Sequence, residues 1–116
     1  MELRFREAAI ADLRSYIANY ASGFFELYRD TGLWNEDEII AGARRNAEKL
    51  YDSIFQHVAA RLGSPRVIGR KATQRNWQEI DLRIGSRLII VHYSEEAKER
   101  IRWVESISID RKPIIF

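Results

Sequence analysis

The sequence predicts an α+β fold, with two N-terminal helices packed on an antiparallel β-sheet in the order β-α-α-β-β-β, spanning residues 1–116 as a single domain. Three observations predict it. The chain opens on a short polar/apolar alternation, continues with two long stretches whose apolar residues recur every three or four positions, and returns to period-two alternation in its second half. With 116 residues, 46% hydrophobic and 31% charged, the chain can bury one core and has no room for a second domain.

Glu2-Leu3-Arg4-Phe5-Arg6 alternates as a half-buried strand does, until the pattern changes at Ala8. From Ala9 onward, Ile10, Leu13, Ile17, Tyr20, Phe24 and Leu27/Tyr28 mark an amphipathic helix that bends or stops near Gly23 and ends at Asp30-Thr31-Gly32. The second helix is signposted at both ends. Asn35 is its N-cap and Glu38 the capping-box partner, Glu36, Asp37 and Glu38 suit the positive end of the helix dipole, and Gly63 supplies the stop. Its stripe of Ile40, Ala43, Ala47, Leu50/Tyr51, Ile54, Val58 and Leu62 is core.

A basic loop, Gly63 to Arg75, leads into the strands. Trp77 to Ile84 alternates Ile80, Leu82 and Ile84 against Glu79, Asp81 and Arg83, and Gly85-Ser86 is a two-residue turn that implies antiparallel pairing with Arg87 to Ser94. That second strand is too apolar to alternate, which predicts a central position covered on both faces. Glu95 to Arg100 is a polar connection, either a loop or one helical turn. Ile101 to Ile109 alternates again, with Ile101, Trp103, Glu105, Ile107 and Ile109 on one face and Arg102, Val104, Ser106, Ser108 and Asp110 on the other. Pro113 ends or edges that strand and leaves Ile114-Ile115-Phe116 as a tail or short edge strand.

Composition narrows the function classes. There are no cysteines and only His57 and His92, so disulfides, thiolate chemistry and a His-rich metal site are not expected, and no cofactor is. No apolar run approaches 18 residues and no charged-then-apolar leader opens the chain, which predicts a cytoplasmic protein with no membrane segment. Walker, Gly-x-Gly-x-x-Gly and His-Glu-x-x-His patterns are missing, and no serine is offered on a nucleophile elbow. His92 reads as a hydrogen-bonded core residue, and His57, between Ile54 and Val58, as structural or half-exposed. Glu79, Asp81 and Arg83 read as a cross-strand ladder in which the acids hold the arginine.

The net charge of +2 is unevenly spread. Residues 1–63 carry 8 Lys/Arg against 10 Asp/Glu, and residues 64–116 carry 11 against 7. Within the loop, Arg66, Arg70, Lys71 and Arg75 have no acid among them, as suits a polyanion, though a solvated loop has the same composition. Arg70, Lys71, Arg83, Arg87 and Arg111, with Lys112 nearby, form a cationic set. Arginines on neighbouring strands that share a face could make bidentate phosphate contacts; the competing reading ties Arg83 and Arg87 to strand acids.

Ala8-Ala9-Ile10-Ala11-Asp12-Leu13-Arg14-Ser15-Tyr16-Ile17 after a first strand, a second long helix, the hairpin Asp81-Leu82-Arg83-Ile84-Gly85-Ser86-Arg87-Leu88-Ile89-Ile90-Val91-His92-Tyr93, and a basic ending after Ile107-Ser108-Ile109-Asp110 together resemble the RelE/ParE superfamily of toxin-antitoxin toxins. The resemblance touches most of the chain through short motifs. It implies a ribosome-dependent endoribonuclease that cuts mRNA, or an inhibitor of another essential target such as DNA gyrase, neutralised by a cognate antitoxin protein. Carried over by position, it implies catalytic roles for Lys71, Arg83, Arg87 and Arg111, with nucleic-acid contacts from Arg66, Arg70, Arg75 and Lys112. The chain departs from the family pattern at Phe116, which cannot exchange a proton where a terminal tyrosine is expected. Two other readings stand beside the toxin: a non-enzymatic module for nucleic acid or an acidic protein, and an orphan protein that forms a homodimer through exposed aromatics.

Overall fold

The computed structural model describes residues 1–29, 31–73 and 75–110. Its elements are β1 (Glu2–Phe5), α1 (Glu7–Arg29), α2 (Glu36–Leu62), β2 (Arg70–Lys71), β3 (Gln78–Ile84), β4 (Arg87–Glu96) and β5 (Ile101–Asp110). The strands form one sheet in the order β1-β5-β4-β3-β2. The α+β class is as expected, but the sheet is mixed rather than antiparallel, because β1 pairs with β5 in parallel. The β3-β4-β5 meander leaves one edge of β5 open, and β1 fills it from the other end of the chain; the helical hairpin together with β2, β3 and β4 makes the long connection that a parallel pair requires. A second difference lies in the basic loop, where Arg70 and Lys71 pair with Glu79 and Gln78 as a short antiparallel edge strand.

Helix α1 starts two residues before Ala9 and runs through Gly23 without a break. A single glycine costs a helix about 1 kcal/mol, which packing against α2 offsets. The N-cap of α2 is as predicted, with Asn35 Oδ1 accepting from the Glu38 N–H at 2.8 Å. Its buried stripe is Ile39, Ala43, Ala47, Ile54, Val58 and Leu62. Ile39 is 4% exposed whereas Ile40, the expected core residue, is 43% exposed. Counting back one turn from Ala43 lands on Ile39, and Ile40 lies about 100° round the helix. Gly63 follows the helix in a right-handed conformation (φ −76), its N–H bonded to the Ala59 carbonyl. The end of α2 is closed from the sheet: Arg102 Nη1 donates to the Leu62 carbonyl and, at 2.8 Å, to that of Ser64.

One face of the sheet carries Ile80, Ile89, Val91, Tyr93, Val104 and Ile107, which pack with Ala9 and Leu13 of α1 and Ile54, Val58 and Leu62 of α2. Strand β4 is central, between β3 and β5, as expected. It is not covered on both sides: Leu88, Ile90, His92 and Ser94 alternate with the buried residues and are only half-buried. The strand also extends to Glu96, so the polar connection begins as sheet and narrows to a turn in which Arg100 takes φ 53.

The two faces expected for β5 are not kept along its length. Tyr93 pairs with Val104 and His92 with Ser106, which leaves Glu105 as an extra residue. This bulge changes the parity of the strand, so Arg102 and Val104 before it and Ile107 after it all reach the buried side. β1 ends opposite Val104, and beyond it the Ile107 N–H is taken by Asp12 Oδ2 of α1 at 3.1 Å. Asp12 thereby anchors α1 to the sheet.

Candidate functional site

The face of the sheet turned away from the helices is largely polar, with Leu88 and Ile90 among its residues, and these stand in cross-strand rows. Glu79 on β3 pairs with His92 on β4, which pairs with Ser106 on β5. Directly opposed side chains share a face and approach to about 5 Å, close enough to bond. His92 Nε2 lies 2.9 Å from Glu79 Oε2, and its Nδ1 lies 2.9 Å from Ser106 Oγ. The ring is 23% and the carboxylate 19% exposed, so the pair is partly desolvated yet reachable. His92 is therefore a face residue rather than a core residue. The ring of Trp77 stands 6.0 Å from that of His92, and the Arg75 guanidinium lies 4.7 Å from the Trp77 centroid.

Arg70, on the edge strand β2, closes the row from the other side. Its Nε donates to Glu79 Oε1 at 2.7 Å and its Nη2 to Asp81 Oδ1 at 2.6 Å. The acids of β3 thus hold Arg70, and Arg83, which the sequence ladder assigned to them, makes no ion pair among the described residues. The bond from Arg70 lowers the Asp81 carboxyl below its ordinary 3.8. Bonds to Asp81 and then Glu79 raise the guanidinium above its ordinary value. The acid-free character of the loop is consequently local in sequence and not in space.

The cations expected to converge are distributed differently. Arg83 pairs with Leu88 and Arg87 with Ile84, successive positions that face opposite sides of the sheet. Arg83 is exposed on the helix-free face, whereas Arg87 turns toward the helices, donates from Nε to Tyr16 Oη at 2.8 Å and lies 5.9 Å from the Tyr20 ring centroid. Lys71 stands opposite Gln78, and by that register it shares the helix side of the edge. Lys71 and Arg66 are exposed and form no ion pair among the described residues. Arg111 and Lys112, with Phe116, lie outside the described residues. His57 is exposed, its Nδ1 2.6 Å from the Ser53 carbonyl.

A second cluster lies beside the first. Arg6 stacks on Trp103 with its guanidinium carbon 3.8 Å from the ring centroid, and its Nε donates to Glu105 Oε1 at 3.3 Å. Ser94 Oγ donates to the same oxygen at 2.7 Å, and Trp103 Nε1 donates to Glu96 Oε1 at 3.0 Å. The bulge makes this possible by turning Glu105 onto the open face between Ser94 and Arg6. Reading the strands as separate alternating patterns missed both clusters. The signal available was the shared polar parity of Glu79, His92 and Ser106, which becomes informative only once the register is known.

Among the described residues no three metal-ligating side chains are grouped to hold an ion, and no helix is long and apolar enough to cross a membrane. Chemically, the row offers a carboxylate and an imidazole in direct contact, a hydroxyl beyond the ring, and a guanidinium that orients the carboxylate. Such a set can take one proton and give another within a single encounter. Comparison with protein-family models, with curated proteins and with solved structures finds no match to this chain.

Proposed function

We propose that this chain is a RelE/ParE-like toxin that inhibits growth by cleaving mRNA, with the helix-free sheet face as its site, and that a cognate antitoxin protein neutralises it. The observation that carries this reading is the 2.9 Å contact of Glu79 with His92 on an open face, with Arg70 bonded to the same carboxylate. The order of a strand, a helical hairpin and an antiparallel meander supports the resemblance drawn from the motifs around Asp12 and Arg83.

Cleavage of RNA through its own 2′-hydroxyl needs a base for that hydroxyl, an acid for the departing 5′-oxygen and a cation for the charge that builds on the phosphorus oxygens. Glu79 takes the hydroxyl proton and protonated His92 supplies the other. Arg70, whose Nη1 makes no bond among the described residues, meets the phosphate. Arg83 and Arg75 flank the row and contact neighbouring phosphates, while Arg87 holds the hairpin against Tyr16. Arg111 keeps the catalytic role, and Lys112 the nucleic-acid contact, that the resemblance implies.

Purified protein added to translating ribosomes should generate defined mRNA ends. Glu79→Gln and His92→Gln should each slow cleavage by about 10²- to 10⁴-fold while the circular dichroism spectrum is unchanged. Intact transcripts at a dose that stops translation would sink the cleavage reading. A second reading, a non-enzymatic module for nucleic acid or an acidic protein, draws support from Arg66 and Lys71, which are exposed and form no ion pair among the described residues. It predicts RNA affinity that falls steeply with salt and does not respond to Glu79→Gln.

A further inference from the structure

The molecule is 57 Å long and 21 Å thin because the helical hairpin projects past the sheet. Its sheet end belongs to the core through Leu13, Ile54, Val58 and Leu62, whereas Ile39, Ala43 and Ala47 lie outside that cluster. Along the projecting part, α1 and α2 border a groove of about 840 Å³. Ala21 on α1 and Ala43 and Ala47 on α2 form its floor, with Phe25 toward the tip and Ile17 and Tyr51 toward the sheet. Three small side chains between larger ones make a recess that another helix can enter closely. Ile40 extends the apolar strip at the tip and is 43% exposed.

The charges bordering the groove on α2 have a direction. Arg44 lies toward the tip, and Glu48 and Asp52 lie toward the sheet. None of the three forms an ion pair among the described residues. The α1 wall adds Glu26 and Arg29, one charge of each sign, so the gradient of α2 decides, and an arriving helix fits best when it carries the opposite one. A second copy of this chain does so when it lies antiparallel across the groove, since a two-fold axis sets residue i against j and j against i.

We propose that two copies of this chain associate through the α1–α2 groove as an antiparallel four-helix arrangement with its axis between Ala47 and Glu48, the Arg44 of each copy meeting the Asp52 of the other. The alanine floors let the two α2 helices approach, and Tyr51 of each copy fills the recess beside Ala43 of the other. The two Glu48 side chains face each other near the axis, and the Arg44 of each copy on either side of them offsets their like charge. The interface uses no residue of the Glu79–His92 row, so this proposal and the cleavage reading stand or fall separately.

Sedimentation equilibrium of the full chain over a dilution series tests it. The wild type should dimerise reversibly. Arg44→Glu and Asp52→Arg should each weaken the dimer by about tenfold or more, because each places two like-charged contacts across the axis, and Arg44→Gln should fall between. An equimolar mixture of Arg44→Glu with Asp52→Arg should dimerise again, since the two variants complement each other at both contacts. A wild type that stays monomeric throughout, single variants that dimerise like the wild type, or a mixture that fails to recover would each overturn the proposal, including the case in which the groove takes a helix of another protein instead. Circular dichroism of each exposed-site variant shows that the fold is kept.

Discussion

Glu79 Oε2 lies 2.9 Å from His92 Nε2 across the β3–β4 pair, and the opposite nitrogen of the same ring lies 2.9 Å from Ser106 Oγ on β5. Three strands contribute one residue each, so the row exists only through the register of both pairs. On the proposed cleavage reading, Glu79 and His92 take the proton-transfer roles and Ser106 orients the ring. Ser106→Ala should therefore cost less than about tenfold in RNA cleavage, against about 10²-fold or more for Glu79→Gln. Initial rates on a defined mRNA, measured at matched protein concentration, give the comparison.

The Arg70 bond sets the acid behaviour of the neighbouring carboxylate. Asp81 has a folded value below its ordinary 3.8, so its contribution to stability is full at neutral pH, fades as pH drops below that ordinary value and is gone below the folded one. Both side chains are about half exposed, which keeps the stability effect small; the titration itself is the sharper readout. In Arg70→Gln the Asp81 carboxyl should titrate at a higher pH than in the wild type. Carboxyl-detected NMR across the acid range measures the shift, and an unmoved midpoint would show that the bond to Arg70 does not govern it.

Arg102 is 3% exposed and joins three parts of the chain: its Nη1 holds the Leu62 and Ser64 carbonyls and its Nε donates to Glu95 at 3.2 Å. A cation at a helix C-terminus also meets the negative end of the dipole. Removing it takes this donor from the buried Leu62 carbonyl and from the part-buried Ser64 carbonyl. Arg102→Ala should lower unfolding stability by about 3–5 kcal/mol, whereas Glu95→Gln, whose partner keeps two carbonyls, should cost less. Urea denaturation of both variants separates the two effects.

Gly69 passes directly over the phenol of Tyr93, and a Cβ there would overlap the Tyr93 hydroxyl and crowd the Glu79 carbonyl. Gly69→Ala should destabilise by about 1–3 kcal/mol. Tyr93→Phe removes the hydroxyl that donates to Gln78 Oε1, and with it the closest overlap, so the double variant should lose less than the two single losses combined. Burial also raises the Tyr93 phenol above its ordinary 10.0, so the wild type should lose stability as pH rises above that value, and Tyr93→Phe should lose less over the same range. A thermal-melt series at neutral and alkaline pH measures both.

Local pattern carried the two helices, the Asn35 cap, the Gly85 hairpin and the central place of β4, because each is written in spacing of apolar residues or in turn chemistry that acts over a few positions. Even there the phase of α2 was one residue off at Ile40, since a stripe is about 100° wide and its edge is set by the neighbour it meets. The parallel β1–β5 pair and the Arg102 cap join residues 38 to 99 positions apart, and the Glu105 bulge is set by the β4–β5 register, so no local spacing announces any of them. The same holds for the site. The basic loop and the hairpin arginines could be named from sequence, but the sheet register put Arg83 and Arg87 on opposite faces, gave Arg70 to Glu79 and Asp81, and brought His92 between Glu79 and Ser106. A one-residue change of register would reverse every one of these assignments, which is why only the tertiary structure could decide them.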